Sequence, residues 1–157
     1  MIELEIPSKV INKARKLSDE LGVLNNSITK GQGSLAGFVG ELMFNSVVKG
    51  KLVHTYDYDI VLKDKSKVDV KTKRTTVKPL PHYNCTVASS NIKQACDYYG
   101  FVRVMDNFSK VWILGMMKKE KFFEEATFMK RGERDEGYVC RADCYNIKIE
   151  NLDDLPK

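Results

Sequence analysis

Residues 53–73 read VHTYDYDIVLKDKSKVDVKTK, two alternating runs on either side of a lysine-rich turn. In the first run Tyr56, Tyr58, Ile60 and Leu62 share one face, and Asp57, Asp59 and Val61 the other. In the second, Val68 and Val70 oppose Asp69, Lys71 and Lys73. Side chains alternate across a strand, so this pattern with KDKSK between predicts a β-hairpin.

Asp69 and Lys71 then project together. An odd-numbered turn puts Asp59 on their face, opposite or diagonal to them. Two carboxylates this close repel unless a cation lies between them. Mg²⁺ suits such oxygen donors and keeps several of its waters. It polarises a phosphoryl oxygen and acidifies bound water, while Lys71 stabilises charge on the phosphate. Asp59, Asp69 and Lys71 are therefore candidate residues for phosphodiester hydrolysis with Mg²⁺ or Mn²⁺. A plain salt-bridged hairpin, with Asp57 on Lys71 or Lys73, would be worth at most about 1 kcal/mol.

Upstream, SLAGFVGELMFNSVV carries a single acid, Glu41. Apolar spacing predicts a helix from about 35 to 48, capped by Ser34 and stopped by Gly50. Gly37 and Gly40 allow that helix to approach a sheet closely. An earlier helix is predicted over 7–24, with Val10, Ile11, Ala14, Leu17, Leu21 and Leu24 at helical spacing and Ser8 as its cap. The polar, glycine-bearing segment between the helices reads as a loop, in which Lys30 is a candidate contact to DNA backbone. Downstream, NCTVASS (84–90) reads as a short strand and NIKQACDYY (91–99) as a helix. YGFVRVM (99–105) and KVWILGMM (110–117) read as strands joined by a turn at Asp106 and Asn107. Residues 118–126 add a helical turn or two, GERDEG is a loop, and the tail leans towards strand. The order predicts an α/β or α+β domain over 1–157, a central mixed sheet flanked by helices.

Glu41 in a helix, Asp59 followed by Ile60-Val61-Leu62, then Val68-Asp69-Val70-Lys71-Thr72, resembles the PD-(D/E)xK nuclease superfamily. That restriction-endonuclease-like core runs helix, three strands, helix, strand (αβββαβ). The matching order here spans residue 35 to about 106, within a core of about 35–117. The resemblance implies Asp59 as first acid (with Asp57 as competitor), Asp69 as second acid and Lys71 as the lysine. Glu41 takes the place of the helix glutamate, and the Val70 carbonyl stands near the metal. Lys93 or Gln94 would supply the Gln or Lys that some members bring from the next helix. Tyr58 stands where the motif has proline. The implied activity is a metal-dependent DNA endonuclease that recognises DNA structure, branched or single-stranded, or backbone rather than a long sequence. A homodimer, as in the superfamily's junction resolvases, and a prokaryotic or phage-infected cell fit the same resemblance. The alternatives are a ribonuclease, and a non-catalytic nucleic-acid- or protein-binding module on this fold.

Charge fits either a polyanionic partner such as nucleic acid or a solvated, lysine-rich hairpin edge that discourages edge pairing. Residues 63–78 hold seven basic and two acidic residues and so carry the chain's whole net charge of +5. Within them Lys73, Arg74 and Lys78 are candidates for phosphates flanking the cleaved bond. His82 is a candidate for assisting proton transfer. No apolar run is long enough to span a membrane, and MIELEIPSKV lacks the layout of a signal peptide, so a cytoplasmic location is expected. Cys140 and Cys144 have zinc-ligand spacing, but no second tight pair accompanies them; buried reduced thiols are expected. Trp112, Tyr98, Tyr99 and Phe101 are assigned to the core.

Overall fold

The computed structural model describes residues 1–21, 32–135 and 138–156. Strand β1 (Ile2–Glu5) leads into α1 (Ser8–Leu21), and α2 (Gln32–Val48) follows. Three strands come next: β2 (Lys51–Leu52), β3 (Ile60–Val61) and β4 (Lys67–Thr75). Strand β5 (Asn84–Ala88) and a 3-10 turn (Ser89–Lys93) precede β6 (Tyr98–Met105) and β7 (Lys110–Lys118). Helix α3 (Lys119–Glu125), β8 (Thr127–Met129), β9 (Arg134–Asp135), β10 (Tyr138–Val139) and β11 (Cys144–Lys148) complete the order.

The main sheet runs β1-β7-β6-β4-β3-β2. Only β4 and β6 are parallel neighbours; its other pairs are antiparallel. The class is α+β with a mixed sheet. A second, antiparallel sheet runs β5-β11-β8, and β9 pairs with β10.

Helices α1 and α2 cover one face of the main sheet. Val39, Phe44, Val68, Val70, Val102 and Ile113 form that core. On the other face Tyr99, Phe101, Trp112, Leu114 and Met117 pack against α3 and the second sheet, including Phe122, Val87 and Ile147. β6 and β7 are therefore apolar on both faces, and their sequences read as nearly continuous hydrophobic runs. Leu114 is the extra residue of a β-bulge, because Phe101 pairs with Gly115 but Val102 with Ile113.

Gly40 makes the close approach of α2 possible. A Cβ built there would lie 1.9 Å from Thr72 Oγ1. Gly37 has no such role, since a Cβ there would meet nothing within 4 Å.

Several expected elements differ. Residues 53–59 are not strand; only Ile60 and Val61 pair with β4. NCTVA joins the second sheet rather than the main one. The expected helix over 91–99 is a single 3-10 turn, because Tyr98 and Tyr99 are drawn into β6 beside Val68 and Asp69. The αβββαβ order therefore lacks its second helix, and its strands beside α2 are β2, β3 and β4. Helix α2 begins at Gln32, so Ser34 lies inside it and does not cap it. Lys30 and Leu24 fall outside the described residues.

Candidate active site at the broken end of a strand

The site begins where β3 stops. Residues 53–59 fold back on themselves: Val53 N–H donates to the Asp59 carbonyl at 2.8 Å, and Thr55 N–H to the Tyr58 carbonyl at 3.0 Å. His54 takes a left-handed φ of 49° to make this turn, a conformation uncommon outside glycine and asparagine. Asp59 N–H still donates to the Val68 carbonyl at 2.9 Å. One step further the backbone has turned away, and Asp59 Oδ2 accepts the Val70 N–H at 2.7 Å instead. The carboxylate thus does the work of a ladder carbonyl. That leaves β4 from Val70 onward with no β3 partner.

Three carboxyls stand near this gap, close enough for their charges to act on one another. Asp59 is 9% exposed and Asp69 5%. Glu41 arrives from α2, which packs on the Val68–Val70 face, opposite to Asp69 and Lys71. It therefore reaches the acids around the open edge and not across the hairpin face that carries Asp69 and Lys71. Its Oε2 lies 2.6 Å from His54 Nδ1.

Burial first, then the charge of Asp69, pushes Glu41 up to about 8. Asp59 is likewise raised to about 8, by burial and then by Glu41 and Asp69. Asp69 is raised by burial, against the pull of Lys71. His54 is lowered by burial. Burial thus disfavours the charged forms of both Glu41 and His54 across their 2.6 Å contact.

Lys71 Nζ lies 2.6 Å from Asp69 Oδ2. The contact is an ion pair poorly aligned for hydrogen bonding, which leaves that buried oxygen without an aligned donor. Lys71 also donates to Gln94 Oε1 at 3.1 Å. Gln94 Nε2 in turn faces Asp69 Oδ1 at 3.3 Å and donates to the Tyr56 carbonyl at 2.8 Å. Gln94 is buried and Lys93 exposed, so of those two candidates Gln94 belongs to the site. Asp57 accepts the Ala95 N–H at 3.2 Å and is ion-paired with neither Lys71 nor Lys73, although its charge helps to raise Asp69.

The donor chemistry suits a hard divalent cation: burial raises all three carboxyls, neighbouring acids raise each of them further, and Asp69 Oδ2 has only the misaligned Lys71 ammonium beside it. As they stand, each is held by its own partner: His54 on Glu41, the Val70 N–H on Asp59, Lys71 on Asp69. Among the described residues no group of three or more His, Cys, Asp or Glu is gathered closely enough to hold a metal ion.

The three cations expected to follow the site do not form one surface. Lys73 turns inward and donates to Thr86 Oγ1 at 3.4 Å. Arg74 is exposed and pairs with Asp106 at 2.9 Å. Lys78 lies 3.5 Å from Glu3. His82 is exposed and packs edge-on against Tyr83.

Two residues escaped the sequence reading. His54 lies in the opening stretch, but only the turn that ends β3 brings it to Glu41. Arg103 reads as an interruption of an apolar strand, and that was its signal. All four cysteines are buried free thiols, with Cys140 Sγ and Cys144 Sγ 2.7 Å apart. Among the described residues no helix is long and apolar enough to cross a membrane. No protein-family model matches the chain, and no curated protein matches it significantly.

Proposed function

We propose that the chain is a metal-dependent endonuclease of PD-(D/E)xK type, with a restriction-endonuclease-like core, that hydrolyses DNA phosphodiester bonds by recognising structure or backbone. One observation carries this reading: the buried carboxyls of Asp59 and Asp69 and the half-buried carboxyl of Glu41 stand near enough for their charges to act on one another, with the Lys71 ammonium 2.6 Å from Asp69. A protein gains no stability from such a group. It serves a cation, and an ammonium beside it serves a phosphate.

In this reading Asp59 and Asp69, with Glu41 and the Val70 carbonyl, hold Mg²⁺ or Mn²⁺. Bound there, such a cation would supply Lewis-acid chemistry to water and to the phosphoryl oxygen. Lys71 orients the attacking water and stabilises charge on the phosphate. As the water oxygen bonds to phosphorus it gives one proton to solvent, the opposite P–O bond breaks, and the leaving oxygen takes a proton from solvent. Gln94 holds Lys71 and Asp69 in register, and His54 fixes Glu41. Both are positioning residues.

A second reading has its own support. Lys71 is occupied by Asp69 and Gln94, and the carboxyls are not drawn together. A module that only binds nucleic acid or protein could retain such a closed cluster. The test is incubation with supercoiled, single-stranded and four-way-junction DNA in Mg²⁺, Mn²⁺ or EDTA. The nuclease reading expects metal-dependent cleavage that Asp69→Ala and Lys71→Ala abolish. Binding without cleavage in every metal would establish the binding module instead.

A further inference from the structure

Lys73 follows Lys71 by two residues and points from the same face of β4. Its Cα partner in β6 is Arg103, so two cationic side chains stand side by side. Neither lies open to solvent: Arg103 is 9% exposed and Lys73 is half-buried. Arg103 Nη2 donates to the Asn84 carbonyl at 2.8 Å. Lys73 donates to Thr86, whose hydroxyl donates to Asn146 Oδ1 at 2.6 Å.

A cavity of about 430 Å³ opens over the pair, walled also by Lys71, Asn84, Thr86 and Asn91. No carboxylate among the described residues lines it. Burial and the Arg103 guanidinium push Lys73 down to about 8. Two like charges thus stand together in a concave site whose other polar groups, among the described residues, are the Asn84 and Asn91 amides, the Thr72 and Thr86 hydroxyls, the Cys85 thiol and Lys71. Lys71 joins this cavity to the acidic cluster.

We infer that Lys73 and Arg103, with Asn84, Thr86 and Asn91, form a pocket for one phosphate group of the substrate strand, next to the group that is cleaved. Two residues along β4 separate Lys73 from Lys71 by about 6.6 Å, comparable to the step between neighbouring phosphates in a nucleic-acid strand. Guanidinium and ammonium supply charge-assisted hydrogen bonds to the phosphate oxygens. The group is either an internal phosphodiester or a terminal phosphomonoester. The inference rests on the proposed phosphodiester site for its orientation, but the pocket's affinity for phosphate does not depend on cleavage.

The test is binding in EDTA, where no cleavage occurs, of a 3′-labelled single-stranded oligonucleotide with either a 5′-phosphate or a 5′-hydroxyl, in competition with inorganic phosphate. Lys73→Gln and Arg103→Gln are expected to weaken binding about tenfold. Lys73→Arg should restore it, and Lys9→Gln, on exposed α1, should leave it unchanged. Because Arg103 is buried and its variant can fail to fold, Lys73→Gln decides the matter if only one variant is folded. A preference for the 5′-phosphate, with competition by inorganic phosphate, identifies a terminal group; equal affinity identifies an internal one. Either supports the pocket. Lys73→Gln binding as tightly as the wild type overturns it. A wild type that never cleaves DNA but loses affinity in Lys73→Gln sinks the nuclease proposal and leaves the pocket standing.

Discussion

Asp59→Asn should make the metal-free protein more stable at alkaline pH. Asp59 is 9% exposed, and its carboxyl is raised from 3.8 to about 8. The folded protein keeps a proton that the unfolded chain releases above about pH 4. The group's contribution to stability is therefore greatest below about pH 4, falls as pH rises towards about 8, and is level beyond. A shift from 3.8 to about 8 corresponds to roughly 6 kcal/mol at most, a large part of the roughly 5–15 kcal/mol that holds a domain folded. Glu41, raised from 4.5 to about 8, has the same sign. The two share one field, so the pair loses less than twice that amount. Asparagine keeps an oxygen for the Val70 N–H, 2.7 Å away in the native protein, and cannot ionise. Urea denaturation in EDTA should show the two proteins nearly equal at about pH 3.5, and Asp59→Asn the more stable by several kcal/mol at about pH 8.5. If the variant is no more stable at alkaline pH, burial and the neighbouring acids do not raise Asp59 as described, and the argument for a cation site loses its energetic basis.

Other expectations follow from the same geometry. Gly40→Ala sets a Cβ 1.9 Å from Thr72 Oγ1 and should cost about 1–3 kcal/mol in urea melts. Gly37→Ala meets nothing within 4 Å and should gain about 0.5–1 kcal/mol from helix propensity. Gln94→Ala removes the amide between Lys71 and Asp69; cleavage kinetics should show kcat reduced about tenfold or more with KM little changed, which a general loss of folding would not produce. Arg74→Ala breaks only the exposed pair with Asp106, and a double-mutant cycle should find at most about 1 kcal/mol.

Much of this arrangement is legible in residues 34–73, because periodicity and burial agree there. The apolar helix around Glu41, the Val68–Val70 face and the Asp69–Lys71 face all follow from spacing alone. Gly40 was readable as a point of close approach, although Gly37 looked equally suitable; only the angle of α2 on β4 separates them. The break in β3 was not readable. Residues 53–59 alternate as well as any strand; besides local backbone bonds only the Thr55 hydroxyl marks the fold-back, accepting the Tyr58 N–H at 3.1 Å and donating to its carbonyl at 2.6 Å, and a threonine is equally at home in a strand. Residues 91–99 have helix-forming composition, but pairing of Tyr98 and Tyr99 beside β4 outweighs that weak preference. The strand β1, four residues long, is too short to register as a period. The spread of Lys73, Arg74 and Lys78 into three directions follows from alternation in β4 and from the turn after it. A run of like charges in sequence does not make one surface.

The central claim is that Glu41, Asp59 and Asp69 form a site for a divalent cation, and the most direct measurement is Mn²⁺ binding followed by electron paramagnetic resonance. The wild type should take up Mn²⁺ and release it to excess Mg²⁺. Its affinity should be greater at about pH 8.5 than at about pH 6.5, because binding displaces protons held with values of about 8. Asp59→Asn and Asp69→Asn should each weaken it about tenfold or more. Wild-type protein that takes up no Mn²⁺ at either pH, or variants that bind it as well as the wild type, would contradict the claim.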